Sequence, residues 1–349
     1  MFQAMPTSPE HLRVSLAAAI TLGLAPGIFH RNARLGCINL LLVYPGGCRA
    51  NCAFCGLARE KYTEFYELRF EKFIRVAWRS WPLELILERL VQAPPWVDRV
   101  CISMVTHPRA KDDILTVCRR VAEATGLPVS LLIAPTVLKE GDLAAMKDAG
   151  AERIGVAIDA ATPELFDHLR GNGVASLHRW EHYWSVYEQA LAVFGQGMVG
   201  VHLIHGLGES EAELIGAIDR ARDFGGSTHL FCFFPERFSA LGQRPQPPAS
   251  GYRRIQMARW LIDHAQARGG DMAFDEQGRV VDFGVATEVL ESALASGRPF
   301  MTSGCPGADG EVACNRPYGN EKPGPDLRNY PFTLGLEDLV LVREQIGRY

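Results

Sequence analysis

Between Cys37 and Phe234 short apolar runs alternate with longer stretches of helical periodicity. That alternation is the sequence form of repeated βα units around a parallel sheet. Six strands are expected, at residues 37–44, 100–105, 129–134, 153–158, 199–204 and 228–234. Helix starts lie between them. Thr162 followed by Pro163 reads as an N-cap with proline at the first helical position, and Ser210 with Glu213 as a capping box. Leu214, Ile218 and Ala221 then recur at helical spacing. Six right-handed βα crossovers curl into an α/β fold of the partial (β/α)6, TIM-like barrel kind, whose chemistry collects on the loops after the strands.

Beyond residue 240 the pattern changes. After a Pro-rich stretch at 243–250, helices are expected near 252–266 and 286–295, with a short strand at 280–283 between them. A Gly-, Pro- and Asn-rich segment, 303–330, then carries two cysteines before a last helix. A long polar loop holding cysteines needs a reason to be ordered, and a metal cluster supplies one. The expected division is an N-terminal helical extension at 1–34, the barrel at 35–240 and a C-terminal cluster-binding extension at 241–349.

Composition narrows the classes. With 349 residues, 47% of them hydrophobic and 22% charged, the chain has ample material for a core. A formal net charge of −4 leaves no basic footprint, so nucleic acid is not an expected partner. Nine cysteines in a chain this long fit a reducing cytoplasm better than a disulfide framework. Residues 16–25 imitate a signal-peptide core, but Pro6, Pro9, Glu10 and His11 stand where a basic region should. No run approaches the roughly 20 apolar residues of a membrane-spanning helix, so a soluble protein without membrane attachment is expected.

The chemistry concentrates just after the first expected strand. There Tyr44-Pro-Gly-Gly-Cys48-Arg-Ala-Asn-Cys52-Ala-Phe54-Cys55-Gly56 places three thiols at CxxxCxxC spacing on one short loop. Three thiolates can hold three irons of a cubane and leave the fourth open. Structural zinc is the competing reading, but three clustered cysteines with no obvious fourth ligand make a poor closed tetrahedron. The spacing, the aromatic Phe54 before the third cysteine and the strand–loop placement resemble the radical S-adenosylmethionine (SAM) superfamily. The resemblance implies a [4Fe-4S] cluster on Cys48, Cys52 and Cys55 whose open iron chelates SAM and reduces its sulfonium, releasing a 5′-deoxyadenosyl radical. It also implies SAM contacts. Phe54 stands beside the cluster, and Thr106, in Ser103-Met-Val-Thr106-His107, replaces the family's Gly-Gly-Glu-like turn for the SAM amine. Asp159, at the end of the fourth strand, either reaches the SAM ribose or substrate or only starts the next turn. Residues 200–209 look like the family's fifth-strand segment against adenine.

Six cysteines remain. Cys118 reads as a small buried hydrophobe on a helix, while Cys101 and Cys232, within strands, either point into the barrel or pack in the core, the commoner fate. Cys305 and Cys314 lie in polar surroundings, where unligated thiols would be open to oxidation. The stretch from Cys305 through Asn315-Arg-Pro-Tyr318-Gly-Asn320-Glu321 to Tyr330 resembles the C-terminal motif of biotin-synthase-related radical SAM proteins, in particular the two-component lipoyl synthases. Here the cysteine pair is spread by an insertion at 307–312. This second resemblance implies an auxiliary iron–sulfur cluster, a [4Fe-4S] cluster by expectation, on Cys37, Cys305 and Cys314, its fourth ligand being Ser303, Arg316 or nothing from the protein.

The implied reaction is sulfur insertion at an unactivated C–H bond of an octanoyl chain held on a lysine of a lipoyl carrier protein or peptide. A sister radical SAM component would make the other C–S bond, and an electron donor would reduce the cluster. A biotin synthase-like activity, a radical SAM enzyme without sulfur insertion, and a non-catalytic iron–sulfur or zinc-binding protein are the competing readings. Tyr44, Arg170, His202 and His205 are conceivable pocket residues, read here as satisfied structural groups, and no catalytic side chain is assigned.

Overall fold

The computed structural model describes residues 5–59, 72–73, 76–237, 239–319, 324 and 326–347. Its strands are β1 (His11–Ser15), β2 (Cys37–Leu42), β3 (Lys72–Phe73), β4 (Val76–Pro82), β5 (Arg99–Ser103), β6 (Val129–Ile133), β7 (Ala151–Asp159), β8 (Val199–His205) and β9 (Ser227–Cys232). They form one sheet in the order β3-β4-β1-β2-β5-β6-β7-β8-β9. From β2 to β9 every pairing is parallel, and these six strands are the ones that the periodicity predicts, with ends shifted by up to two residues.

The N-terminal stretch, expected to be helical, instead enters the sheet. β1 pairs antiparallel with both β2 and β4. Only α1 (Leu16–Thr21) follows, capped by the Ser15 hydroxyl, which accepts from Ala18 N at 3.2 Å. The reason is local. Leu12 and Val14 alternate with polar neighbours at period two and are buried, leaving too little helical pattern before Ser15.

Helices follow β4 and the parallel strands β5 to β8. They are α2 (Leu83–Val91), α3 (Ala110–Thr125), α4 (Asp142–Asp148), α5 (Pro163–Arg170), α6 (Trp180–Phe194) and α7 (Glu211–Asp223). On β2 all six residues are buried, because Ile38, Leu40 and Leu42 face the helices while Asn39 and Leu41 face inward onto a cavity. α6 buries Trp180, Tyr183, Trp184, Tyr187 and Leu191, a stripe at helical spacing. Thr162 accepts from Leu165 N and Ser210 closes a full capping box with Glu213, both as the sequence implies. The remaining helices are α8 (Ala249–Asp263), α9 (Thr287–Ser296) and α10 (Leu336–Ile346), with a small hairpin of β10 (Ala273–Phe274) and β11 (Val280–Asp282). No described helix is long and apolar enough to cross a membrane.

The tail docks through buried polar contacts. Arg253 on α8 donates to the carbonyl of Arg328 at 2.6 Å, to Gln345 at 2.8 Å and to the Leu327 carbonyl. Arg254 pairs with Glu211 at 2.6 Å, tying α8 to α7, with both side chains almost wholly buried.

Candidate active site: two thiol groups on one cavity

After β2 the chain turns at Gly46 and Gly47, whose φ angles of 85° and 67° lie where a Cβ is penalised. Gly47 N donates to the Tyr44 carbonyl at 3.0 Å and closes the turn. The 48–55 loop is then pinned on several sides. Arg49 N donates to the Thr106 carbonyl and Ala53 N to the Leu169 carbonyl, each at 2.8 Å, and Asn51 Nδ2 donates to the Val174 carbonyl at 2.9 Å. The loop therefore takes its shape from the segments after β5 and α5. Tyr44 is structural, as expected. Its hydroxyl donates to Asp113 at 2.8 Å and its ring stacks on His107 at 3.8 Å.

Cys52 is buried, and Cys48 and Cys55 are half-buried. Burial pushes the Cys55 thiol up, and the neighbouring Cys52 and Cys48 push it further. Burial raises Cys52 as well, against the opposing charge of Arg170. Thiols that resist ionising in one another's company ionise readily against shared cationic irons, so the donor set fits an iron–sulfur cluster. Among the described residues no three His, Cys, Asp or Glu side chains close on one point as they would around a single ion. Thiols spread over separate irons need no such convergence.

Arg170, read from sequence as structural, is the organising cation of this rim. It donates to the Ile158 carbonyl at 2.7 Å and to the Ala157 carbonyl, pairs with Asp159 Oδ2 at 3.0 Å and hydrogen-bonds Cys52. Its guanidinium also lies 5.0 Å from the Tyr183 ring and 6.0 Å from the Phe54 ring. Asp159 thus spends one oxygen on Arg170, and its φ of 65° marks a tight exit from β7. Burial raises its carboxyl while Arg170 opposes. Phe54, Thr106 and Asp159 all line the same cavity as the three cysteines. Thr106 serves the cluster loop through its carbonyl. The pairing of Asp159 with Arg170 has no sequence signal, since eleven positions and a helix separate the two.

The cavity, about 530 Å³, runs inward from this rim between the six parallel strands, and seven of the nine cysteines line it. Cys101 and Cys232, expected in the core, face it. The alternation that puts Ser103 on the cavity puts Cys101 there too, a period-two signal present in the sequence. Cys118 is buried within α3, as expected. Deeper in the cavity lie Cys101, Cys305 and Cys314, with Cys37 hydrogen-bonded to Cys314. The Cys314 thiol is held below its usual range, first by Cys37 and then by Arg316 and Asn39 against burial, while burial raises Cys37. The insertion at 307–312 does not part the pair. Pro306 and Val312 form an antiparallel bridge, and Cys314 N donates to the Cys305 carbonyl at 3.1 Å.

The tail motif is fastened at both ends. Asn315 accepts from Gly36 N at 3.3 Å and donates to the Arg34 carbonyl at 2.7 Å, and Tyr318 donates to the His30 carbonyl at 2.8 Å. Asn320 and Glu321 lie outside the described residues. Arg99 anchors the pair from below, donating to the Pro306 carbonyl at 2.7 Å, to Ser130 at 3.0 Å and to Glu152. Gly304 is tightly enclosed, since a Cβ there would stand 2.3 Å from the Cys314 carbonyl. Gly304→Ala is therefore expected to cost about 1–3 kcal/mol of stability through forced displacement of the 305–314 pair. Urea unfolding checks it, and an unchanged midpoint would show that the pair gives way freely.

His202 and His229 meet at 3.3 Å on the cavity wall, and burial keeps both well below the usual histidine range. His205 turns away from the cavity to Glu209 at 3.1 Å. Burial works against that carboxylate, but His205 and the amide of Gly206 outweigh it and leave Glu209 below its usual range. The 206–209 turn is thus closed on its own acid.

A family model described as the radical SAM superfamily matches residues 42–221, just over half of the chain, and that span includes the whole cysteine loop. The chain belongs to the radical SAM superfamily. Two solved structures are similar at 14% identity. The radical SAM chain covers 49% of SuiB from Streptococcus suis, solved bound to its precursor peptide SuiA, with 68% of its own length and a TM-score of 0.46. It covers 55% of coproporphyrinogen III oxidase (HemN) from Escherichia coli, described as a radical SAM enzyme, with 70% of its own length and a TM-score of 0.39. It thus spans about half the length of each. No curated protein matches it. Membership implies an iron–sulfur cluster with SAM, and hence an enzyme.

Proposed function

We propose that this radical SAM enzyme inserts sulfur into an unactivated C–H bond of an aliphatic acyl chain, as one component of a two-protein lipoyl synthase. The observation that carries the reading is the pair of thiol groups on one cavity, Cys48, Cys52 and Cys55 at its rim and Cys305 and Cys314 deep within, with Cys37 hydrogen-bonded behind Cys314. β2 runs from Cys37 to Leu42, about 16 Å at about 3.3 Å per residue, so Cys37 lies at the far end of the strand from the loop that carries Cys48. In this reading the parallel strands form a partial (β/α)6 barrel spanning 35–240, Leu16, Ile20, Ile28 and Phe29 of the N-terminal extension line its cavity, and the extension at 241–349 brings the second cluster.

When bound, the rim cluster with SAM would supply a 5′-deoxyadenosyl radical and the inner cluster would supply sulfur. The chain's own residues do the rest. Arg170 steadies Cys52, while Phe54, Thr106 and Asp159 face the space for SAM. Leu16, Ile20, Ile28, Phe29 and Trp78 give the cavity an apolar mouth suited to an octanoyl chain, and Ile28, at 95% exposure, stands ready to be covered. The carrier would be an octanoylated lipoyl protein or peptide, with an electron donor and a sister radical SAM component in a reducing cytoplasm.

The test is anaerobic iron and sulfide quantification with Mössbauer spectroscopy on reconstituted protein and on the triple variant Cys48→Ala, Cys52→Ala, Cys55→Ala. About eight irons falling to about four is expected for two cubanes. About four falling to none would end the sulfur-insertion reading and leave a radical SAM enzyme with one cluster.

A further inference from the structure

We infer that the inner cluster is held by four cysteines of this chain, and that the fourth ligand is Cys101. The inference rests on the two-cluster reading above and goes beyond it by naming a ligand that sequence placed in the core. Ser303 is already engaged, because its hydroxyl accepts from Leu230 N at 2.8 Å. Arg316 lies with its guanidinium 4.1 Å over the Phe231 ring. Cys101 has the position that neither of these has.

The sheet register fixes that position. Cys101 pairs with Asn39 on β2 and with Ser130 on β6. Asn39 stands two residues from Cys37, on the same face of β2, and its amide donates to Cys314 Sγ at 3.6 Å. On the other side, Ser130 accepts from Arg99, which also holds the Pro306 carbonyl next to Cys305. Cys101 therefore sits between the strand that carries Cys37 and the anchor that fixes Cys305. It lines the cavity with Cys305 and Cys314, and its strongest charge neighbours are those two thiols.

Two ligands on adjacent parallel strands and two on a loop closed by the Pro306–Val312 bridge make a site in which the sheet sets half the geometry. Arginines surround it. Arg316 lies near Cys101 and Cys314, and Arg99 near Cys305 and Cys314, offsetting the negative charge that four thiolates bring.

The experiment compares reconstituted wild type, Cys101→Ala, Cys232→Ala and the double variant Cys305→Ala, Cys314→Ala by iron content and Mössbauer spectroscopy. Cys101→Ala is expected to fall from about eight irons to about four, or to keep its iron with one site showing a new quadrupole doublet, while Cys232→Ala stays at about eight. The irons left on the rim report that each variant is folded. If Cys305→Ala, Cys314→Ala loses the inner irons but Cys101→Ala keeps both iron and spectrum, the Cys101 assignment fails and the two-cluster reading stands. Wild type holding only about four irons overturns both.

Discussion

Cys52→Ala is expected to slow the cleavage of SAM to 5′-deoxyadenosine by roughly three orders of magnitude, about 4 kcal/mol of barrier. Cys52 is the buried member of the rim triad, next to Ala53, whose amide is fixed to Leu169 at 2.8 Å. No neighbouring thiol can move over to replace it, because the loop is tied to the segments that follow β5 and α5. Stability should change far less, by about 1 kcal/mol, the scale of one small buried group. The two effects separate in a dithionite-driven assay for 5′-deoxyadenosine run beside a thermal melt. A variant that melts like wild type and keeps more than a tenth of the rate would remove Cys52 from the ligand set.

Arg170→Met is expected to cost about 3–5 kcal/mol of stability, the scale seen when one partner of a buried ion pair is removed. Arg170 and Asp159 are 6% and 14% exposed, and the arginine also fills the carbonyls of Ala157 and Ile158 at the end of β7. In Arg170→Met the Asp159 carboxylate keeps its burial and loses its counter-charge. Its folded-state pKa, already raised by burial, must rise further. A carboxyl whose folded pKa lies above its unfolded value near ~3.9 is bound more tightly by protons in the folded state, so its favourable contribution is lost as pH rises through the folded value. The deficit of the variant should therefore be largest at pH 8 and shrink as pH falls toward 5. Adding Asp159→Asn should recover much of the loss at pH 8 and flatten the pH dependence. Urea unfolding at the two pH values measures both, and a deficit independent of pH would show that lost packing around Phe166 and Tyr183 dominates over charge.

The parallel strands and the rim loop are legible in the sequence because both rest on short-range signals. Period-two apolar runs mark buried strands, and three cysteines within eight residues need no folding to be neighbours. The rest depends on contacts between distant residues. β1 joins the sheet because β4, between 63 and 71 positions later, pairs with it. Cys101 reads as one more apolar strand residue until the register sets it beside Asn39. The 307–312 insertion looks like an interruption, yet its ends pair and return Cys314 to Cys305. Arg170 gives no local hint that Asp159 and Cys52 will meet it.

The fastening of Asn315 to Arg34 and Gly36, and of Tyr318 to His30, has a consequence for how the protein is made. A nascent chain leaves the ribosome with the rim loop about 250 residues ahead of Cys305 and Cys314. The two sets of thiols thus emerge at different times. The rim loop can close on Thr106, Leu169 and Val174 well before the 305–314 segment emerges to meet Cys37. A product that stalled before residue 305 would carry Cys37 and Cys101 without those two partners.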